Sequence, residues 1–399
     1  MRFSVLIPTF NRADLLDQAL RSALAQTHRN FEILIIDDGS TDPTPEVASR
    51  YGSAVKYWRQ ENQGKSAALN LGIRKAEGDI LIVLDDDDIL PAWSLAKHAE
   101  ALSQRPAAGF SYGRFARFAG NDLSSPAQLN DNEMVPTHDP RRLVVKLMEN
   151  CFLPNPVWAV RKEVQARVGP YERDMYFSQD YDMILRLARG NEGTFVDDVV
   201  LYQRKHGSLR GPQAEQENVV DTIAKWIKYD ALLFERLDRS WDIGDFHPFS
   251  NKPGSGDEGL AYLQKGVILF QRKVYDGARQ ALASFRSLLM DRSPTVVELR
   301  IAAGLLGCRY GIAELVEHRE HGENVAQWLH AKGWPLPLRM AFGSQLRWRV
   351  RAAAASGQVK FARDLLSFSH KAFGLAATVA IMGSKYAAGT HGWRVPKSV

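Results

Sequence analysis

Asp85, Asp86, Asp87 and Asp88 are four consecutive carboxylates placed directly after the apolar run ILIVL at residues 80–84. Like charges this close disfavour one another's ionised form, so the run needs positive compensation. A divalent cation such as Mg2+ or Mn2+ supplies it, taking carboxylate oxygens together with phosphate oxygens of a substrate. It would then stabilise the charge that grows on a departing diphosphate. For such a run taken alone, the alternative is a solvated acidic loop.

Four other groups invite chemistry, each with a plainer alternative. Asp37-Asp38-Gly39-Ser40 is either a polar turn with a helix cap or a place where one carboxylate accepts from a base or ribose. Gln63-Gly64-Lys65-Ser66 reads as a helix start whose N–H groups and ammonium could face a phosphate. It is not a P-loop, because Arg59 stands where that motif needs its first glycine. Asp180 and Asp182 precede an amphipathic helix, either favouring its dipole or providing a general base for an acceptor hydroxyl. His206, beside Arg204 and Lys205, is a surface histidine or part of an anion site.

The elements that must position these groups alternate along the first hundred residues. Short apolar runs at 3–7, 31–36, 55–58 and 80–84 read as strands. Leu15, Leu16, Ala19, Leu20, Ala23 and Leu24 recur at helical spacing, and 66–76 reads as a second helix. This alternation predicts an α/β domain with a mostly parallel sheet flanked by helices. Ligands of such sheets sit beyond the carboxyl ends of the strands. Residues 8–11, 37–40 and 85–88 all fall there. Strands are expected at 110–118, 157–160 and 194–204, with a helix at 181–188. From 213 onward the pattern is mostly helical, with a Pro/Gly/Asp/Ser-rich linker at 240–257. Residues 260–289 have the spacing of one tetratricopeptide-like helix pair, with a loose echo at 348–368.

The bulk composition excludes other classes. A formal charge of +5 over 399 residues is too small an excess to indicate a nucleic-acid binder, and suits an anionic donor or membrane surface. Two distant cysteines, Cys151 and Cys308, support neither a disulfide framework nor a cysteine zinc site, which points to reduced thiols in the cytoplasm. No signal peptide and no span of about 20 apolar residues is expected.

In order and spacing, several segments together resemble family 2 glycosyltransferases, inverting enzymes with the GT-A fold. They are VLIPTFNR (5–12), Gln26-Thr27, FEILIIDDGSTD (31–42), NQGKSAALNLGI (62–73), GDILIVLDDDD (78–88) and QDYDMILRL (179–187). The resemblance covers residues 1–210 and implies a role for each motif. Pro8, Thr9 and Asn11 would line the nucleotide pocket. Asp38, with Asp37 beside it, would bond the base, and Lys65 and Asn70 would lie near ribose or diphosphate. Asp85 and Asp87 would form the Asp-x-Asp pair, the first facing ribose and the second the metal. Asp86 lies between them, and an Asp86/Asp88 register is the alternative. Asp180 would be the catalytic base, although Gln179 replaces the glutamate often found before it. His206 would reach the metal or diphosphate. The implied domains are a catalytic domain at 1–212, a helical extension and linker at 213–257, and a helical domain at 258–399. The implied activity moves a sugar from a nucleotide-diphospho-sugar, with UDP expected, to a saccharide or lipid-linked acceptor in surface polysaccharide assembly. The helical tail lies outside the resemblance: the apolar stretch 373–382 reads as a buried terminal helix or, with Lys371, Lys385, Arg394 and Lys397 nearby, as a peripheral contact with an anionic leaflet. The competing readings are an inactive sugar-nucleotide binder or scaffold, and a nucleotidyltransferase, which would need a Gly-rich loop where Pro8-Thr9-Phe10-Asn11 stands.

Overall fold

The computed structural model describes residues 1–119, 141–205, 219–250, 257–290, 292–330 and 334–383. His206 and the expected domain boundary at 212 lie outside them. The chain forms two compact units, Met1–Tyr229 and Asp230–Val399.

The first unit is built on seven strands: β1 Phe3–Thr9, β2 Phe31–Asp37, β3 Lys56–Arg59, β4 Ile80–Val83, β5 Phe110–Ala119, β6 Trp158–Arg161 and β7 Gly193–Lys205. They make one sheet in the order β3-β2-β1-β4-β6-β5-β7. The pairs β1–β2, β1–β4, β2–β3 and β5–β7 are parallel, and β6 runs antiparallel to both its neighbours. Among the described residues, seven helices accompany the sheet: α1 Ala13–Leu24, α2 Thr44–Ser49, α3 Lys65–Lys75, α4 Ser94–Gln104, α5 Leu143–Glu149, α6 Lys162–Val168 and α7 Gln179–Gly190. The α/β architecture with a mostly parallel sheet is therefore as expected. Helices α2, α4, α5 and α6 are not among the elements expected from the sequence.

Burial explains the strands. Every residue of β1 and β4 is buried, as continuous apolar runs require when a parallel sheet is covered on both faces. Helix α1 buries Leu16, Ala19, Leu20 and Ala23, the stripe set by its spacing. Its own N-cap residue, Arg12, does not cap it. Instead Asp42, from beyond β2, accepts the Ala13 N–H at 2.9 Å, supplying one of the partners that a helix start lacks.

Strand order decides where a ligand can sit. The chain steps from β1 outward to β2 and β3, then returns to place β4 on the other side of β1. The loops after β1 and β4 therefore diverge, opening a crevice at the carboxyl ends of the strands. Register brings those ends level: Thr9 pairs with Asp37, Asp37 with Arg59, and Leu6 with Val83.

The opposite edge of the sheet is tied by Glu32. Its carboxylate accepts from Ser4 Oγ at 2.5 Å and from the N–H groups of Glu77 and Gly78 at 2.6 and 3.1 Å, and pairs with Lys56 at 2.8 Å. Burial opposes the charge, but Lys56, Ser4 and the Glu77 N–H outweigh it and hold the carboxyl at about 2.

Helix α8, Val219–Ser240, runs from the first unit into the second. The second unit is helical: α9 Glu258–Gln271, α10 Tyr275–Leu289, α11 Val296–Ala302, α12 Glu314–Glu317, α13 Arg319–Leu329, α14 Leu336–Gly343, α15 Leu346–Ala355, α16 Val359–Phe373 and α17 Leu375–Gly383. Helices α9 and α10 form the expected packed pair, and α15 and α16 a second. Gly266 lets α9 and α10 approach, since a Cβ there would lie 2.6 Å from Leu282 Cγ. A buried ion pair, Arg272–Asp230 at 3.2 Å, also takes the Tyr310 hydroxyl. Among the described residues no helix is long and apolar enough to cross a membrane.

The Glu32 cluster yields a stability prediction. A depressed carboxyl stabilises the fold above its unfolded value of about 4.5, and this contribution disappears as pH falls toward 2. Glu32→Gln should cost about 2–3 kcal/mol near neutral pH, and the gap to the parent should close below pH ~4. Urea titrations over that range test this; a gap independent of pH would contradict it.

Candidate active site

The acidic loop follows β4 directly. Leu84 still bonds to β1, through its N–H to the Leu6 carbonyl at 2.9 Å, and the chain then turns at Asp85. Each carboxylate meets a donor from a different segment. Lys65 Nζ, at the start of α3, lies 2.6 Å from Asp85 Oδ1. The Thr9 hydroxyl, at the end of β1, donates to Asp86 at 2.8 Å. One Arg12 nitrogen bridges Asp86 and Asp87 at 3.0 and 2.9 Å. The backbone N–H of Arg204, on β7, donates to Asp88 at 2.8 Å, and its Nε donates to the Asp87 carbonyl at 2.9 Å.

Electrostatics follow from this crowding. Burial raises the Asp86 carboxyl to about 6, with Arg12 pulling down and Asp87 pushing up. Asp88 is driven well upward by burial and by its neighbours Asp87 and Asp85. Partial removal from water works against the Lys65 charge, but Asp85, Asp180 and Asp87 together keep its ammonium above its ordinary value. Oxygens of Asp85, Asp87 and Asp88 lie within 4.8 Å of one another, a hard donor set of the kind that Mg2+ and Mn2+ favour. Asp86 is turned away from that trio, toward Thr9 and Arg12.

The loop after β2 is fastened differently. Asp37 is fully buried; it accepts the Ser40 N–H at 2.7 Å and the Tyr57 hydroxyl at 2.5 Å. Asp38 faces the segment before α3, accepting from Gln60 Nε2 at 2.7 Å, Gln63 N at 2.9 Å and Gly64 N at 2.7 Å. Gly39 has φ +88°, and a Cβ there would press on the backbone N of Asn62 at 3.0 Å, so a larger residue fits poorly. Asp38 thereby sets the position of Gly64, and so of Lys65 on the next residue.

Asn11, exposed and left-handed at φ 52°, ties the first loop to the second, its Oδ1 accepting the Thr41 N–H at 2.7 Å. Pro8 is buried beside Thr9 at the end of β1. Asn70 is buried in α3 and is used on both sides of its amide: Nδ2 donates to the Tyr171 carbonyl at 2.9 Å, and Oδ1 accepts the Tyr171 N–H at 2.8 Å. Asp180 is half-buried in the first turn of α7, next to the left-handed Ser178 at φ 59°. Burial pushes its carboxyl up, Lys65 draws it down and Asp85 pushes it up again. Asp182 is paired with Arg186 at 2.5 Å.

Lys65 therefore couples Asp85, Asp87 and Asp180, while Thr9 and Arg12 join them through the acidic loop. Asp37 and Asn70 face their own scaffold, whereas Asn11 is exposed and joins the first loop to the second. Sequence reasoning assigned no role to Arg12, Tyr57 or Gln18, although Gln18 accepts from Arg204 at 2.8 Å. Arg12 had a signal, being the cation in VLIPTFNR; Gln18 and Tyr57 had none.

Comparison with known proteins places this chain in a family. The family model "Glycosyl transferase family 2" matches residues 4–168. An uncharacterized glycosyltransferase of Rickettsia prowazekii is 42% identical over 296 residues, covering 69% of this chain and 86% of that protein. One from Rickettsia conorii is 47% identical over 90 residues, but the chain spans only 15% of that relative's length. Among solved structures, S. aureus TarS 1-349 superposes with a TM-score of 0.51 at 14% identity, covering 93% of this chain and 90% of that one. The same protein in complex with UDP-GlcNAc gives 0.52. The chain belongs to glycosyltransferase family 2 and has the GT-A fold.

The Asn70 clamp is open to direct test. Asn70→Leu leaves the Tyr171 N–H and carbonyl buried without partners, and should lower stability by about 2–4 kcal/mol. Chemical denaturation measures this, and a loss below about 0.5 kcal/mol would show that the clamp is not structural.

Proposed function

We propose that the protein is an inverting, metal-dependent glycosyltransferase that moves a sugar from a nucleotide-diphospho-sugar, with UDP as the nucleotide, to a hydroxyl of a saccharide or lipid-linked acceptor. The observation that carries this reading is the convergence of Lys65, Asp85, Asp87 and Asp180 at the crevice beside β1 and β4.

In this reading Pro8, Thr9 and Asn11 form the floor and rim of the nucleotide pocket. Asp38 has three of its roughly four acceptor positions in use, which leaves one for the N–H of a uracil ring. Asp37 and Asn70 serve by holding walls of the pocket. Asp85 faces the ribose, and Asp87 is the metal ligand within the Asp85/Asp87/Asp88 set; His206 is a further candidate ligand. Since Asp86 turns to Thr9 and Arg12, the Asp85/Asp87 register is preferred. A bound divalent cation supplies charge stabilisation for the departing diphosphate. Lys65 adds a second positive charge on the same side.

Asp180 acts as general base. It takes the proton of the acceptor hydroxyl as that oxygen bonds to the anomeric carbon, while the bond from that carbon to the diphosphate oxygen breaks on the opposite face. The nucleoside diphosphate leaves with the electron pair, and the configuration inverts. Burial favours this role by raising the carboxyl toward working pH.

The catalytic region is assigned to 1–212, followed by the extension at 213–257 and the helical domain at 258–399. Surface polysaccharide assembly on the cytoplasmic side fits a lipid-linked acceptor, with the helical domain at the membrane. Two cysteines so far apart in sequence, Cys151 and Cys308, fit a reducing compartment.

Donor hydrolysis by the purified protein tests the reading, using UDP-, GDP- and dTDP-sugars with Mn2+ or with EDTA. We expect slow nucleotide release from one UDP-sugar, abolished by EDTA and by Asp87→Asn. With acceptor present, Asp180→Asn should lower kcat by about 10²–10⁴-fold with little change in donor KM. If no donor binds or turns over with either metal, the transferase reading fails and the scaffold reading takes its place.

A further inference from the structure

Charge is distributed unevenly along the chain. Residues 324–399 contain eleven Lys or Arg and a single acid, Asp364, while residues 1–323 carry a net charge of −5. The modest overall excess thus conceals a strongly basic C-terminal stretch. Within the described residues 334–383 the cations are Arg339, Arg347, Arg349, Arg351, Lys360, Arg363 and Lys371.

Some of these are used internally. Arg339 donates to the Phe373 carbonyl, Arg349 to the carbonyls of Leu306 and Cys308, and Lys371 pairs with Glu323. Arg351 and Lys360 are exposed and have no partner among the described residues. They flank the turn that joins α15 to α16.

The same hairpin exposes large apolar groups. On α15, Trp348, Arg351, Ala352 and Ala355 are exposed at spacings of three, four and seven residues, which is one stripe of a helix. On α16 the exposed stripe is Val359, Arg363, Leu366 and His370. Trp348 is 42% exposed and Val359 69%. Helix α17 packs against both and adds Leu375 and Val379, at 65% and 62%. A solvated charged face has no need of a tryptophan and four branched aliphatics among its cations. Exposed cations for headgroups and exposed apolar side chains for the acyl boundary, carried on one set of packed helices, match an anionic bilayer on both counts.

We propose that the α15–α16 hairpin, extended by α17, docks on an anionic lipid surface. Arg351, Lys360 and Arg363 meet the headgroups, while Trp348 and Val359 enter the interface. The inference rests on the membrane-side placement proposed above, narrows it to named helices, and does not depend on the donor chemistry.

The experiment is co-sedimentation of the full chain with vesicles of phosphatidylcholine alone, or with about one third phosphatidylglycerol. Binding should be at least tenfold stronger to the anionic vesicles and should weaken with added salt. Arg351→Glu with Lys360→Glu should lower it about tenfold or more. Trp348→Ser with Val359→Ser should lower it about threefold or more without changing the salt dependence. Both pairs should leave circular dichroism and UDP-sugar hydrolysis at parent values. Equal binding to both vesicle types would overturn the proposal, as would an unaltered affinity in both variants. Duplex DNA bound as tightly as the anionic vesicles, and lost in the same charge variant, would also overturn it by showing a general polyanion site. Loss of donor hydrolysis in the parent itself would bear on the transferase reading alone.

Discussion

Four carboxylates on consecutive residues repel one another, and the carboxyl edge of the sheet is organised around keeping them together. No single neighbour balances them. Lys65 comes from α3, Thr9 and Arg12 from the end of β1 and the loop beyond it, and Arg204 from β7, about 190 residues further along the chain than Arg12. Each of these segments is fastened elsewhere, so the acidic loop is clamped by the fold as a whole. Burial, with a further push from the neighbouring aspartates, still holds the carboxyls of Asp86 and Asp88 above their ordinary values.

Topology makes this convergence possible. Because β4 returns to the far side of β1, the loops after both strands open into the same crevice and meet through the Thr9–Asp86 bond. The loop after β2 then acts as a spacer. Asp37 holds its inner side, and Asp38 grips Gln63 and Gly64, fixing the residue before Lys65. A short relay therefore runs from Asp38 through the start of α3 to Asp85, and through the charge of Lys65 on to Asp180. The charges of Asp85 and Asp180 both act on that one ammonium.

The second unit is held by a different logic. Close helix packing at Gly266 and buried ion pairs such as Arg272–Asp230 stabilise it internally. Among the described residues, its C-terminal helices carry Arg351 and Lys360 exposed on their surface. Charge balance is opposite in sign along the chain, net negative over residues 1–323 and net positive over 324–399.

The sequence by itself determined the strands, the helix α1 and the acidic run at 85–88, because burial in a covered sheet demands continuous apolar runs and helices demand a 3.6-residue period. It also determined that Lys65 starts a helix and that Asp180 stands at the head of another. It did not determine which polar residues face a ligand and which face the scaffold. Asn70 and Lys65 belong to one motif, yet Asn70 is consumed by the Tyr171 backbone while Lys65 reaches Asp85. Asp37 and Asp38 are adjacent and identical in type, yet one is sealed under Tyr57 and the other faces the next loop. Likewise Gln18 meets Arg204 across 186 positions, a separation over which no local pattern carries information. These choices depend on partners brought near by strand order. Periodicity reports only which side of an element is buried, and only the tertiary structure decides what lies against it.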